Sequence, residues 1–530
     1  MITEQQTDVI AFLTSPASHG LTDPVETIET HISHVFLAGD RAYKAKRAVK
    51  LPYVDFSTPA LRLAACRKEV ELNSPTAPGL YLGVRRITRE VGGGLAFDGS
   101  GEMIDAVVEM RRFEQSALLD QMAAAGTLTP ALMAETARMI VLFHRSVPVV
   151  HAGGGAANMA GGLDINPAGG GGAATVGGAL AISGAGFPPA GVFPADEVER
   201  FDDAFRAALS RHAPSLDRRE QAGKVRRCHG DLHLRNICLF GGVPRLFDCI
   251  EFNDQIATVD VLYDLAFLLM DLWHRNLREL ANLVMNRYLD EADDEDGFAL
   301  LPFFMAVRAA VRAHVLATQV EESQNASAGL RAEARSYFDL ALSLLAPCPP
   351  RLIAIGGLSG SGKTTIAEAL AAEIGAPPGA RIVESDRIRK ALHGVAAETH
   401  LPDKAYRPEV SERVYRELAW RAGLILSEGG SVVADAVFDR PTDRARIRQS
   451  ALDRGIPFQG IWLHAAPDVL WQRIEQRSGS ASDATVDILS RQLQRNAGDI
   501  DWQRVDAASN PARVVGAILA ITTTGEPTQS

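Results

Sequence analysis

Eight consecutive residues constrain this 530-residue chain more than any others. Gly357-Leu358-Ser359-Gly360-Ser361-Gly362-Lys363-Thr364 fits the pattern G-x-x-x-x-G-K-[ST]. The octet follows the apolar run Leu352 to Ile355 and leads into an amphipathic stretch, Thr365 to Ile374. A strand that turns through glycines into a helix gathers backbone N–H groups at a helix N-terminus, where they can hold phosphate oxygens. Gly357, Ser359, Gly360, Ser361, Gly362 and Thr365 are then the cradle for the phosphates of ATP. Lys363 reaches the β and γ phosphates, and Thr364 is a Mg2+ ligand.

Downstream of Pro350 the chain alternates apolar runs with amphipathic segments. The runs are 352–355, 381–383, 431–434 and 460–463, which predicts an α/β domain with a parallel sheet. Ligands of such sheets bind at the C-terminal ends of the strands. Asp386, in E-S-D-R-I-R-K, and Asp435, in V-V-A-D-A-V-F-D-R, fall at two of those ends. Asp435 is a candidate for organising Mg2+, and Asp386 for accepting a proton from a substrate hydroxyl. Either could instead simply cap the helix that follows it. Arg387 and Arg389 are candidates for an anionic substrate, and Arg473 and Arg477, four apart on one helical face, for closing over the transferring phosphate or for facing solvent. Together G-L-S-G-S-G-K-T, S-D-R-I-R-K-A-L, D-A-V-F-D-R and R-I-E-Q-R resemble the P-loop small-substrate kinases, particularly the zeta-toxin-like and polynucleotide-kinase-like members, over roughly residues 351 to 517.

A second constellation lies upstream. His229-Gly230-Asp231-Leu232-His233-Leu234-Arg235-Asn236 is followed by Leu246-Phe247-Asp248. Kinase chemistry needs an Asp beside the acceptor hydroxyl, an Asn five residues later on Mg2+, and a second Asp on a following strand for the metal. Asp231, Asn236 and Asp248 meet that spacing. A metal site built on His229 and His233 is the rival, but no third ligand of the usual spacing accompanies them. The octet resembles the catalytic loop of the aminoglycoside phosphotransferase and choline kinase group. That resemblance covers roughly residues 31 to 345 and implies an α+β, protein-kinase-like, two-lobed domain. It also implies upstream partners. In Y-K-A-K, Lys44 and Lys46 share one face of a strand, and Lys44 is preferred as the phosphate-binding lysine. Glu69 would hold it in an ion pair, with Glu71 as second choice, and Glu109-Met110 would connect the lobes and contact adenine. Asp260 and Asp264 are expected to brace the catalytic loop.

The organisation read from these motifs is a kinase-like domain over 1–346, a P-loop kinase domain over 351–522 with its boundary at A-P-C-P-P-R, and a polar tail over 523–530. Of the 46 glycines, fourteen lie between Ala152 and Gly191, a Gly/Ala-rich insertion with no helical or strand periodicity. The net charge of −11 belongs to the first 350 residues, because residues 351–530 hold 22 basic and 22 acidic side chains. An acidic or neutral surface disfavours nucleic acid and anionic membrane as partners. Five cysteines without a C-x-x-C suit a reducing cytoplasm, and the N-terminus has no signal-peptide pattern.

These readings converge on an ATP- and Mg2+-dependent transfer of phosphoryl groups to hydroxyls of small molecules at two sites. A bifunctional fusion of an aminoglycoside phosphotransferase-like domain with a P-loop kinase is the family arrangement this resembles. An ATP-binding regulator or ATPase in which one half senses or scaffolds, and an aminoglycoside-resistance kinase, remain the alternatives.

Overall fold

The computed structural model describes residues 4–51, 54–151, 192–322, 328–476, 483, 485–494 and 499–524. The Gly/Ala-rich segment 152–191, Arg477 and most of the polar tail lie outside the described residues. The chain forms two compact units, Met1–Asp271 with Phe304–Leu342, and Leu272–Phe303 with Ser343–Ser530.

The first unit opens with a six-stranded sheet in the order Glu26–Glu29, Ser33–Ala38, Arg41–Lys46, Glu102–Arg111, Tyr81–Arg89, Leu95–Phe97. Every neighbouring pair in it is antiparallel. The hairpin expected at Gly39-Asp40 is present, with Ala38 opposite Arg41, but its second strand stops at Lys46 rather than at Val49. The helix Pro59–Asn73 packs on this sheet, its start capped by Thr58, whose hydroxyl accepts from the Leu61 amide at 3.3 Å. Apolar side chains of sheet and helix, among them Leu37, Cys66, Ala106 and Val108, form the core between them. The short strand expected at Val107 to Met110 is the end of a ten-residue strand, Glu102–Arg111.

The rest of this unit is mainly helical, with Pro130–Ser146, Ala195–Gln221, Leu301–Glu322 and Ala328–Leu345 as long members. Two small antiparallel pairs interrupt it. Val225–Arg227 pairs with Thr258–Asp260, and Ile237–Phe240 pairs with Val243–Leu246. The catalytic-loop octet runs from the first pair into the second. The helical stretch read across Asp260 to Leu289 is two helices, Val261–His274 and, within the second unit, Arg278–Ala292. They part at Asn276, which adopts a left-handed φ of 60° that asparagine tolerates better than most residues. Among the described residues one apolar helical stretch, Glu295–Glu321, is long enough to cross a membrane by length and composition, yet 72% of its most apolar window is buried inside the protein, as in a core helix.

The second unit holds a five-stranded sheet, all parallel, in the order Arg381–Glu384, Val432–Asp435, Leu352–Gly356, Phe458–His464, Gln503–Asp506. Helices cover the sheet, so central strands are apolar on both faces and read as continuous runs. Leu352–Gly356 is buried at every position. Four strands coincide with the four apolar runs. The fifth, Gln503–Asp506, is a largely exposed edge strand without such a run, which is why the apolar pattern does not reveal it.

Candidate active sites

In the first unit four separated segments meet. The sheet strand Arg41–Lys46 points Lys44 and Lys46 to one side, toward Glu69 of the helix Pro59–Asn73. Lys44 lies 3.0 Å from Glu69 Oε1 and also pairs with Asp248. Lys46 pairs with Glu69 Oε2 and with Glu251. Charge therefore alternates along one chain of contacts, Asp248–Lys44–Glu69–Lys46–Glu251. Only Asp248, its side chain 38% exposed, opens substantially to solvent. Burial works to protonate Glu69, but the ammoniums of Lys44 and Lys46 outweigh it and hold the carboxyl at about 2. Burial likewise works against the charge of Lys44, and Asp248 and Glu69 outweigh it, so Lys44 stays firmly protonated.

The catalytic-loop octet is shaped by Gly230 and braced from below. Gly230 has φ +84°, and a Cβ there would come within 3.0 Å of Ile250 Cδ1 and 3.3 Å of the Ala257 backbone, so glycine suits both conformation and space. Asp264, fully buried, accepts from the His229 and Gly230 amides at 3.1 and 2.8 Å and lies 3.1 Å from His144 Nε2. Burial raises its pKa, but hydrogen bonding and charge from His144 outweigh that and keep it low. Asp260, expected to share this task, instead pairs with Arg219 at 2.7 and 2.8 Å. Asp271 accepts from the Leu234 amide at 3.1 Å and is a second brace the motif does not announce.

On this support the Asn236 side-chain amide donates to the Asp231 carbonyl and to Asp231 Oδ2, both at 2.9 Å. His233 Nε2 lies 3.3 Å from the same carboxylate oxygen. Burial opposes the charge of Asp231, but His233 followed by His229 outweighs it and holds the carboxyl well below the usual range. Asp248 adopts φ +60°, rare for a non-glycine residue, with its amide donating to the Tyr81 hydroxyl oxygen at 3.1 Å. Direct contacts thus join Asp231 with Asn236, and Asp248 with Lys44 and Glu69. Glu71 instead pairs with Lys68 on the exposed side of its helix. Met110 lies within its strand and is buried with the core residues around Ala42 and Leu80, while Glu109 faces Arg41, Arg85 and Tyr43. Lys46 as a second buried cation, and Glu251 as its partner, escape sequence reading. The only hint is a Glu three positions after Asp248.

In the second unit the octet turns from the central strand Leu352–Gly356 into the helix Lys363–Ala371. Gly360 has φ +83°, and a Cβ there would meet the Leu470 carbonyl oxygen at 2.5 Å, so only glycine lets the loop pass. Thr364 Oγ1 donates to Asp435 Oδ2 at 2.7 Å, and Lys363 Nζ donates to the Leu358 carbonyl at 3.2 Å. The buried Ser361 hydroxyl has no hydrogen-bond partner among the described residues. Gln492, on the helix Val486–Gln494, accepts from the Ser359 amide at 2.9 Å and was not foreseen from sequence.

The loop lines a cavity of about 530 Å³, together with Asp386, Asp435, Arg389 and Arg473. Asp386 and Asp435 stand at the ends of neighbouring strands, as the spacing predicted. Glu384, which sequence reading passed over, sits with them. Burial, reinforced by Asp435, pushes its carboxyl up to about 8. Burial pushes Asp435 up to about 6 against the pull of Lys363 and Thr364. Arg387 turns away from the cavity to Glu384 at 3.1 Å and Asp290 at 3.4 Å.

Both donor sets fit a hard divalent cation. Asn236 and Asp248 in one unit, and Thr364 and Asp435 in the other, offer amide, carboxylate and hydroxyl oxygens, the donors Mg2+ prefers. The Lys44 ammonium already stands as a cation against Asp248.

Comparison with known proteins assigns two domain families to the chain. The phosphotransferase enzyme family is matched over residues 189–301 and the AAA domain over residues 352–497. The uncharacterized protein Rv2004c of Mycobacterium tuberculosis is 30% identical over 511 residues, covering 94% of this chain and 96% of that protein. An adenylyl-sulfate kinase of Myxococcus xanthus is 32% identical over 117 residues, 22% of this chain and 59% of that one. Among solved structures, a choline/ethanolamine kinase family protein from Mesorhizobium loti is similar over 64% of this chain and 95% of its own, with a TM-score of 0.40 and 16% identity.

Proposed function

This chain belongs to the family of Rv2004c, with a phosphotransferase-family, kinase-like domain ahead of a P-loop kinase domain, and from that premise we propose that it is a bifunctional phosphotransferase with two ATP sites. Each site moves a γ-phosphoryl group to a hydroxyl of a small molecule. The observation that carries the reading is that Lys44, Glu69 and Asp248 meet from distant segments while Asp231 and Asn236 meet on a braced loop of the same unit.

Bound Mg–ATP would supply the phosphoryl group and neutralise its charge at each site. In the first unit Asp231, oriented by Asn236, holds the acceptor hydroxyl and accepts its proton as the phosphoryl group transfers. Asn236 and Asp248 hold the metal. Lys44, positioned by Glu69, neutralises phosphate oxygens, and Met110 remains the proposed neighbour of the adenine pocket. In the second unit the amides and glycines of 357–365 cradle phosphate, and Lys363 meets the transferring group. Thr364 and Asp435 hold the metal, and Asp386 is the base. Arg477 keeps its proposed phosphate contact only as a sequence expectation. All five cysteines are free and four are buried, which supports a reducing compartment such as the cytoplasm.

The test uses the purified full chain, γ-labelled ATP and a cell metabolite extract. Two labelled small-molecule products are expected, one lost in Asp231→Asn and the other in Lys363→Ala, each by about 10²-fold or more. Release of free phosphate alone would favour an ATPase or sensor. Loss of both products in either single variant would sink the two-site reading.

A further inference from the structure

The helix Leu301–Glu322 carries two arginines, Arg308 and Arg312, that lie outside both motifs. Four apart on a helix, they share a face. Arg308 is 5% exposed and braces the catalytic loop from behind. Its Nη1 donates to the Gly230 carbonyl at 3.1 Å, its Nη2 lies 3.8 Å from Asp264 Oδ1, and its guanidinium carbon lies 3.8 Å from the centre of the Tyr263 ring. Arg312, one turn later, is half-buried, with its guanidinium carbon 5.7 Å from the centre of the Tyr337 ring. Its side chain has no hydrogen-bond or ion-pair partner among the described residues. Other arginines around the loop are paired: Arg219 with Asp260 at 2.7 Å, Arg227 with Asp254 at 3.0 Å, and Arg235 with Asp120 at 3.6 Å. An arginine cannot shed its charge at any ordinary pH, so Arg312 stands there as a fixed cation.

Gly230, held by Arg308, immediately precedes Asp231. The helix face that meets the loop through Arg308 therefore brings Arg312 toward the proposed base. Its charge is felt there: burial opposes the ionised form of Asp231, and His233, His229 and Arg312 outweigh it. Asp231 is open to an acceptor, its side chain 39% exposed. The acidic side chains around the loop are engaged. Asp248 pairs with Lys44, Asp264 accepts from two amides and contacts His144, and Asp120 faces Arg235. An acceptor bearing ammonium groups would meet Arg312 as a like charge and find these carboxylates taken. An acceptor bearing an oxyanion would find in Arg312 a planar fork of donors that matches it.

We propose that the acceptor at the kinase-like site of the first unit is an alcohol that also carries an oxyanion, a carboxylate or a phosphate, and that Arg312 binds this oxyanion while Asp231 takes the hydroxyl. The proposal rests on the kinase reading of that site. In the transfer the acceptor oxygen bonds to the γ phosphorus, the bond from that phosphorus to the ADP oxygen breaks, and the hydroxyl proton passes to Asp231. Arg312 enters no covalent step. It is a specificity residue that selects acidic alcohols over neutral ones and over amino sugars.

The experiment begins with calorimetric titration of inorganic sulfate, as the oxyanion probe, into the full chain saturated with Mg–AMPPNP. Arg312→Met is expected to lose one sulfate site of the wild type or to weaken it about tenfold. Arg312→Lys, which keeps the charge and loses the fork, is expected to fall between them and covers the case in which the methionine variant fails to fold. Equal sulfate binding by wild type and a folded variant, or none by wild type, overturns the proposal. The Lys363→Ala chain is then given γ-labelled ATP and a cell metabolite extract, and the labelled product that Asp231→Asn removes is isolated by anion exchange and weighed by mass spectrometry. An acceptor with an acidic group beyond the transferred phosphate supports the proposal, and its mass tells carboxylate from phosphate. An acceptor without an acidic group overturns it. Adding Arg312→Met should raise the extract concentration at half-maximal rate about tenfold, by more than it lowers the saturated rate. A fall in the saturated rate alone overturns the assignment to the acceptor. If no labelled product forms, the kinase reading fails, and the sulfate titration still decides whether Arg312 holds an oxyanion.

Discussion

Lys44 and Asp248 stand 204 positions apart in the chain and form a direct ion pair, with Glu69 on the other side of the same ammonium. Lys44 is therefore the cation shared between the helix that positions it and the carboxylate proposed to hold metal. Lys44→Met should lower the labelled product of the first unit by about 10²-fold or more and leave the product of the second unit unchanged. Product-resolved chromatography of the labelled reaction reads both at once. Equal loss of both products would show that Lys44 matters to the whole fold rather than to one site.

Lys46 does a different task. Its side chain is 1% exposed, between Glu69 and Glu251. Removing one member of a buried pair leaves the other charge unpaired and typically costs about 3–5 kcal/mol. Lys46→Met and Glu251→Gln should each destabilise the first unit on that scale. The double variant should cost clearly less than the sum, because neither charge is then stranded. Urea unfolding of the four proteins measures the coupling, and strict additivity would mean that the pair is not an energetic unit.

The same network makes a prediction in acid. Glu69 is held at about 2, below its ordinary 4.5, with burial opposing and Lys44 and Lys46 overcoming. A depressed folded-state pKa adds stability above the unfolded value and loses it as pH falls. Glu69 should therefore contribute stability on the order of 3 kcal/mol near neutrality, all of it gone as pH falls from about 4.5 through about 2. Glu251, pushed upward by burial, works in the opposite sense and offsets part of that slope. Thermal melts between neutral pH and pH 3 should show a steeper loss in Glu251→Gln than in wild type. A shallower one would contradict the assignment of these two shifts.

The second unit depends on a segment far upstream of its motif. Arg381, 3% exposed on the edge strand Arg381–Glu384, pairs with Asp290 at 2.7 Å and Glu295 at 3.1 Å and donates to Asn286 Oδ1 at 2.9 Å. These partners all come from Leu272–Phe303, which belongs to this unit. A fragment starting at Arg351 leaves that guanidinium buried without either carboxylate. It should unfold at lower temperature, or be cleaved faster by protease, than the same residues in the full chain. In the full chain Asp290→Ala should cost about 1–3 kcal/mol, since Glu295 remains. A fragment as stable as the intact unit would show that Arg381 finds other partners.

How much was legible in advance follows from how far apart the interacting atoms lie in the chain. Asp231 and Asn236 are five residues apart and meet because one loop carries both. Four of the parallel strands, the buried edge strand Arg381–Glu384 among them, were legible because burial demands continuous apolar runs, and the exposed edge strand Gln503–Asp506 was not because it has no such demand. Asp260 and Asp264 read alike in sequence as braces for the loop, yet only Asp264 reaches it, because Arg219 arrives from another helix to claim Asp260.

The sequence by itself determined the two candidate sites. A phosphate-loop pattern, and an Asp with an Asn five residues later, are local arrangements that need particular residues at short fixed spacing. Tertiary structure decided which charges pair with which. It separated Lys44 from Lys46, brought Glu251 beside a lysine 205 positions away, and turned Arg387 to Asp290 and Glu384. Those outcomes depend on packing between distant segments. There, desolvation makes an unpaired charge costly, and spacing along the chain carries no record of which partner arrives.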